Sequence, residues 1–217
     1  MTGLEVKKEN WDKFWSAKAS GRFTRVSWSK RRIMETLDPF VREGMEVLDA
    51  GCGSGFFSAY FLEKGCRVWS LDHSDASLEI TRKNTGGRCR AYLKEDLLNP
   101  AWTTPFRNKF DLIFTDGLFE HFPETDQKRL VQGFRSVKKE DGILATFVPN
   151  RDSWWQIVRP FVMPGIREVP FTVRALRELH AGMRPVRAGG LSVLPFRISP
   201  EKMLGSRFGM VLFYFAV

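Results

Sequence analysis

The stretch VLDAGCGSGFFS, residues 47–58, sets glycine at every second position directly after an apolar run that carries one aspartate. Main chain without a Cβ at Gly51, Gly53 and Gly55 can enter the left-handed region and can be approached closely by a ligand. The apolar residues before the turn predict a short strand over 45–50. The run FFSAYFLEKG predicts a helix over 56–65 that ends at Gly65. A strand, a tight glycine turn and a helix form the opening unit of a parallel sheet covered by helices.

The rest of the chain repeats that unit. RVWSLD (67–72) predicts a second strand, and SDASLEITRKN (74–84) a helix with Ser74 and Asp75 as capping types. CRAYLKED (89–96) and FDLIFTDG (110–117) predict the third and fourth strands, ETDQKRLVQGFRSV (124–137) a helix, and GILATFVPN (142–150) the fifth strand. Helices are predicted over 9–19 and 29–38 at the N-terminal side, the first with Trp11, Phe14 and Trp15 on one face. Beyond 150 the chain is irregular and rich in Pro, Trp and Arg until a helix over 171–183. That helix ends at His180 and its neighbours, and His180 is expected on the surface. VRAGGLSVLPF and GMVLFYFAV read as the final strands, the last deeply buried. Alternating strands and helices predict an α/β fold with a mostly parallel sheet between two helical layers.

In such sheets ligands sit beyond the carboxyl ends of the strands, and the first strand-to-helix turn is the tightest place there. A helix N-terminus after that turn favours a carboxylate or phosphate. A dinucleotide-binding turn requires G-x-G-x-x-G/A, but the sixth position counted from Gly51 is Phe56, too large for close helix–strand packing. The spacing here is G-x-G-x-G, preceded by Asp49. That aspartate is placed either to accept from a ligand ammonium or to brace the turn. A ligand with an ammonium, a carboxylate and a nucleoside fits S-adenosylmethionine better than a dinucleotide.

At 217 residues the chain reads as one domain over 1–217. It divides into an N-terminal helical cap (1–43), a cofactor-binding core (44–150) and a substrate-side lid with the final strands (151–217). Cys52, Cys66 and Cys89 are odd in number and form no C-x-x-C, which points to a reducing compartment and away from a zinc knuckle. The opening MTGLEVKKENWDKFW is polar and charged, and no apolar run approaches the ~20 residues of a membrane span. A cytoplasmic protein with no membrane span is therefore expected. The net charge of +9 is uneven: residues 1–43 carry ten Lys and Arg against six Asp and Glu, residues 151–217 ten against four, and the centre is near neutral. The basic flanks fit either an anionic partner or a plainly solvated surface.

VLDAGCGSG resembles the first motif of the class I S-adenosylmethionine-dependent methyltransferases. EDLL at 95–98 is similar to their third-strand motif, and FDLIFTDGLFEHF (110–122) resembles the fourth-strand motif of the branch that includes the ubiquinone-type O-methyltransferases. The resemblance spans roughly residues 45–150. It implies a Rossmann-like seven-stranded sheet whose last strand, GMVLFYFAV, is antiparallel. It further implies S-adenosyl-L-methionine as cofactor, held by Asp49, Gly51, Cys52, Gly53, Gly55, Asp72, His73, Asp96, Leu97, Thr115, Asp116 and Trp15. In that scheme Asp72 takes the ribose hydroxyls, Asp96 (or Glu95 beside it) the adenine amino group, and the Leu97 amide the ring. Thr115 and Asp116 would lie under the sulfonium. His121 and Asp116 are the candidate bases, and no metal is expected. Trp11, Phe14 and Trp15 resemble an aromatic cap over the cofactor, and core packing of the same face is the alternative. Trp154, Trp155 and Arg151 are candidate substrate contacts in the lid, where paired tryptophans and Arg would cradle an aromatic or anionic molecule.

The resemblance implies an enzyme that methylates an O or N atom of a small molecule. Two alternatives stay open: an RNA or protein methyltransferase using the basic flanks, and a non-catalytic cofactor-binding activator subunit. Tyr60 and Lys64 form a reductase-like Y-x-x-x-K, but on the first helix after the glycines, away from the site of that chemistry. NPAW (99–102) follows the third strand rather than the fourth and lacks a second proline.

Overall fold

The computed structural model describes residues 8–16, 23–162, 168–196 and 198–217. Seven strands form one sheet: β1 Glu46–Ala50, β2 Arg67–Asp72, β3 Ala91–Lys94, β4 Phe110–Asp116, β5 Lys138–Pro149, β6 Pro185–Leu191 and β7 Val211–Ala216. Their spatial order is β3-β2-β1-β4-β5-β7-β6. The pairs among β1 to β5 are parallel, and β7 runs antiparallel to both β5 and β6. The expected Rossmann-like α/β sheet with an antiparallel last strand is the observed one.

The helices are α1 Lys8–Ser16, α2 Trp28–Leu37, α3 Phe56–Glu63, α4 Asp75–Asn84, α5 Glu124–Val137, α6 Trp155–Val162, α7 Val173–Leu179 and α8 Glu201–Phe208. The part of the expected 9–19 helix beyond Ser16 lies outside the described residues up to Phe23. Neighbouring strand residues serve opposite faces. Leu48, Trp69, Ile113 and Leu144 pack with Phe134 of α5 and Leu176 of α7. Val47, Val68, Leu112 and Ala145 pack with Ile33 of α2 and Phe61 of α3. Both faces are covered, so the inner strands read as continuous apolar runs. Ser74 caps α4 as expected, its hydroxyl accepting from Ser77 N at 3.2 Å.

Three expectations need correction. First, β5 begins at Lys138 rather than 142, because KKED continues the ladder past an irregularity between Phe110 and Leu112 on β4. Second, α6 lies in the stretch that reads as irregular, and α8 in the unassigned stretch between the two expected final strands. Pro160 inside α6 and Gly205 inside α8 are helix breakers that obscure both. Third, His180 is 1% exposed, not a surface group. It caps α7, donates from Nδ1 to Leu176 O (2.9 Å) and accepts the Thr146 hydroxyl at Nε2 (3.0 Å). Its ring also stacks on Tyr214 at 4.7 Å. Burial holds its pKa down at about 4, so the neutral ring fills a site whose polar demands are met.

The two decoys prove structural. Tyr60 donates to Asp38 Oδ1 at 2.8 Å and Lys64 Nζ lies 2.7 Å from the same oxygen, tying α3 to the end of α2. Asn99 caps the 3-10 turn 100–106, and the Trp102 indole donates to Leu97 O.

α8 rests on β6 through a glycine pair. A Cβ on Gly190 would stand 2.0 Å from Gly205 O, and one on Gly205 would stand 2.1 Å from Gly190 O. Gly190→Ala is therefore expected to lower stability by about 1–3 kcal/mol, the range for forced overpacking. Urea unfolding reads this as a lower midpoint, and an unchanged midpoint contradicts the packing account.

Candidate functional site

Beyond the carboxyl ends of β1, β2 and β4 lies a cavity of ≈ 1150 Å³. Its floor is the glycine loop. Gly51, Gly53 and Gly55 have φ of 75°, 53° and 70°, the left-handed region that disfavours any residue with a Cβ. Gly51 N and Cys52 N both donate to Leu71 O, which fastens the loop to β2. Gly53 N donates to Asp72 Oδ2 (3.0 Å), and Ser74 N to Asp72 Oδ1 (3.0 Å). Each carboxylate oxygen keeps a second acceptor site.

The three glycines differ in function. Gly51 and Gly53 line the cavity. Gly55 is the N-cap of α3, and a Cβ there would meet Thr81 of α4 at 2.7 Å, so it serves helix packing. A Cβ on Gly53 would stand 2.7 Å from the Trp15 ring, which lies over the loop. Trp11, Phe14 and Trp15 of α1 all line the cavity. Phe14 packs on Trp11 (5.6 Å), Trp15 (5.1 Å) and Phe23 (5.4 Å). Ser74 donates to Asp12 at 2.5 Å, which anchors this aromatic cap to the start of α4.

Carboxylates converge on the cavity from several strand ends. Asp49 is 2% exposed and accepts from the Ser58 hydroxyl at 2.5 Å. Burial pushes its pKa up to about 7, opposed by the Ser58 hydrogen bond. Asp116, at the end of β4, is pushed up to about 6 by burial, with Lys30 opposing. Burial lowers Lys30 to about 8, with Asp116 opposing. The Lys30 ammonium donates to Phe23 O and to Arg25 O (3.3 Å), and stands 4.1 Å from the Phe56 ring centroid. Asp96 accepts from Leu98 N (3.1 Å), and both Asp96 and Glu95 face the cavity with Leu97.

On the opposite wall, His121 packs edge-on against Trp11 at 4.7 Å. Glu120 is 3% exposed, and its Oε2 has no hydrogen-bond partner. Burial, and then Glu168, raise the Glu120 carboxyl well above its usual range. Burial raises Glu168 too, with Arg159 opposing at 2.9 Å. Glu120, His121 and Glu168 bring one ligand atom each within 4.8 Å of one another.

Of the residues singled out from sequence, Asp49, Gly51, Cys52, Gly53, Asp72, His73, Asp96, Leu97, Asp116, His121, Trp15 and Trp155 meet at this cavity. Cys52 is buried beside Thr81, and burial keeps its thiol protonated. His73 Nδ1 lies 3.6 Å from Asp72 Oδ1, and its buried Nε2 has no partner. Four others lie off the cavity lining. Gly55 packs on α4, and Thr115 is fully buried within the sheet. The Trp154 indole donates to Val193 O, and Arg151 is solvent-exposed and pairs with Asp152. Lys30 and Glu168 join the cavity although no sequence motif marks them. Glu120 joins it from within the FDLIFTDGLFEHF stretch, where the sequence reading singles out only Thr115, Asp116 and His121. Lys30 reads as part of a basic flank, and burial of Glu120 and Glu168 comes only from tertiary packing.

A glycine cradle with acidic groups at three successive strand ends defines a Rossmann-like domain built for a nucleoside-bearing ligand. Residues 47–142 match the family model described as a methyltransferase domain. Over 98 residues the chain is 34% identical to a malonyl-[acyl-carrier protein] O-methyltransferase of Hamiltonella defensa subsp. Acyrthosiphon pisum (strain 5AT), covering 45% of this chain and 35% of that one. Over 130 residues it is 26% identical to a ubiquinone biosynthesis O-methyltransferase of Leptothrix cholodnii (strain ATCC 51168 / LMG 8142 / SP-6), covering 59% and 52%. The chain thus spans about a third to a half of these relatives. The fold is shared with the N-methyltransferase NodS of Bradyrhizobium japonicum WM9, solved with S-adenosyl-L-homocysteine (TM-score 0.69, 14% identity, 96% of each chain). It is also shared with a SAM-dependent methyltransferase of Anabaena variabilis ATCC 29413 (TM-score 0.68, 21% identity, 96% and 92%).

Asp49 and Asp116 bind protons more tightly in the folded chain than in the unfolded one, where carboxyls ionise near 4. Their contribution is therefore most favourable below about pH 4 and is lost as pH rises toward 7. Asp49→Asn keeps an oxygen for Ser58 and removes the titration. Its melting temperature relative to wild type is expected to climb between about pH 4 and 7, and a difference that stays flat with pH contradicts the buried-carboxyl assignment.

Proposed function

We propose that the chain is an enzyme that transfers a methyl group from S-adenosyl-L-methionine to an oxygen or nitrogen of a small molecule. The observation that carries this reading is the acceptor set: Asp49, Asp72 and Asp96 face one cavity beside a glycine loop held in the left-handed region. The cofactor offers an ammonium, two ribose hydroxyls and an adenine amino group, and three acceptor carboxylates at successive strand ends match them. The match to a methyltransferase domain over residues 47–142 supports the same reading.

S-adenosyl-L-methionine supplies a methyl group on a sulfonium, from which it leaves in-line to a lone pair. The chain's own residues align and shelter that transfer. Orienting two bound reactants contributes up to roughly 7–11 kcal/mol of barrier lowering. Trp11, Phe14, Trp15 and Trp155 wall the cavity and keep water out. An acceptor with a flat or apolar body fits these aromatic faces better than a polyanion, since carboxylates outnumber cationic side chains around the lining. Asp116, with a pKa near 6, accepts the proton that an O–H or N–H acceptor must lose, and Lys30 holds it ionised at neutral pH. His121, beside Trp11, is the second candidate for that proton.

Calorimetric titration with S-adenosylhomocysteine tests the cofactor assignment. One-site binding is expected for the wild type and not with NADH, and Asp72→Ala is expected to weaken it by about tenfold or more, the loss of a charge-assisted pair of hydrogen bonds. Tight NADH binding without S-adenosylhomocysteine binding overturns the reading. Cofactor binding without turnover of any acceptor points instead to an activator subunit.

For an acceptor that is turned over, kcat is expected to rise through about pH 6 and to level above it. Asp116→Asn removes that limb and lowers kcat by about 10²-fold or more. If Asp116→Asn and His121→Ala both keep wild-type kcat, the reaction runs on alignment alone.

A further inference from the structure

The apolar side chains that the fold leaves in solvent are concentrated in the segment after β5. Ile157 and Phe161 on α6 are 75% and 86% exposed, Ile198 is 85% exposed, and Met203 on α8 is 86% exposed. Leu194, Phe196, Leu204 and Phe208 add to them. Large apolar groups displayed in numbers mark an interaction surface.

These side chains do not hang from loose chain. Arg32 is 7% exposed, and its guanidinium donates to Ser192 Oγ (3.3 Å), Leu194 O (3.0 Å) and Phe196 O, and pairs with Glu201 at 2.8 Å. This holds the backbone at 192–196 and the start of α8 while Leu194, Phe196 and Ile198 turn outward. The Trp154 indole donates to Val193 O, which ties the start of α6 to the same segment. Asn150 Nδ2 donates to Arg207 O and Gly209 O, and Gln156 Nε2 donates to Asn150 O, which ties the end of α8 to α6. Three elements with outward apolar groups thus share one hydrogen-bonded hub. α8 buries little beyond Gly205, so Lys202, Met203, Leu204, Arg207 and Phe208 all stand exposed.

On the α8 side of this face the charge has one sign. Residues 179–217 contain a single carboxylate side chain, Glu201, and Arg32 takes it. Lys202 and Arg207 on α8 are exposed at this face. A second copy of the chain would meet this face with the same positive charge. An anionic bilayer offers both complements at once, acyl chains for the apolar groups and headgroups for the cations.

We propose that the face formed by α6, residues 194–196, Ile198 and α8 is a peripheral docking surface for an anionic lipid membrane. Trp155 of α6 and Met210, just after α8, line the cavity, so docking there sets the cavity beside the bilayer. An apolar acceptor dissolved in the membrane would have a short path to the site.

Co-sedimentation of the whole chain with vesicles tests this. Binding is expected to vesicles of phosphatidylcholine mixed with phosphatidylglycerol, and to be weaker by about tenfold or more for phosphatidylcholine alone or at high salt. The triple variant F161S/I198S/M203S, altered only at exposed positions, is expected to keep the wild-type melting temperature and to lose vesicle binding. Lys202→Glu with Arg207→Glu is expected to lose the preference for phosphatidylglycerol. Absence of binding to the mixed vesicles, or equal binding by the triple variant, overturns the proposal. So does a concentration-dependent dimer in sedimentation velocity that the triple variant abolishes, which would assign the face to a second copy.

Discussion

The hydrogen bond from Gly53 N to Asp72 Oδ2 joins the two halves of the site. It links the turn after β1 to the end of β2, and it requires the left-handed φ that only glycine adopts at little cost. Asp72 is 6% exposed and also accepts from Ser74 N, so the same carboxylate fixes the start of α4. α4 in turn carries the aromatic cap through Ser74 and Asp12. One charged group therefore sets the floor, one wall and the roof of the cavity.

Electrostatics within the cavity follow from the burial of its carboxyl groups. Asp49, Asp116, Glu120 and Glu168 are all raised, each chiefly by burial. Such clusters of shifted carboxyls are costly to a fold and gather where chemistry is done. Lys30 is the counterweight: its ammonium sits on the carbonyls of Phe23 and Arg25 and biases Asp116 toward its ionised form. The cavity lining thus divides into carboxylates at the strand ends and side chains from the helical cap, the segment around 120, Trp155 and Glu168.

That division also explains how much of the site is written locally in the chain. VLDAGCGSG, RVWSLD and FDLIFTDG each pair an apolar run with its terminal acid, so Asp49, Asp72 and Asp116 are legible from the sequence. Gly55 is legible as a glycine but not in its purpose, because the clash that demands it comes from Thr81, twenty-six residues away. His180 misleads for a similar reason, since its two partners, Thr146 and Leu176, meet only once α7 lies on the sheet. α6 and α8 are obscured by Pro160 and Gly205. The first terminates local helix signals and the second exists to let α8 touch Gly190. Trp154 and Trp155 are adjacent in sequence yet diverge, one bonded to Val193 O and the other facing the cavity. Side-chain direction in the lid is set by packing, and no short-range pattern carries it.

The most direct test of the central claim is a crystal structure of the chain grown with S-adenosylhomocysteine. The adenosine is expected between Asp72 and Asp96, the amino acid end over Gly51 and Gly53 near Asp49, and the sulfur turned toward Asp116 beneath the aromatic cap. Ligand bound elsewhere, or a glycine loop that remains closed under Trp15 with saturating ligand in the crystal, would contradict it.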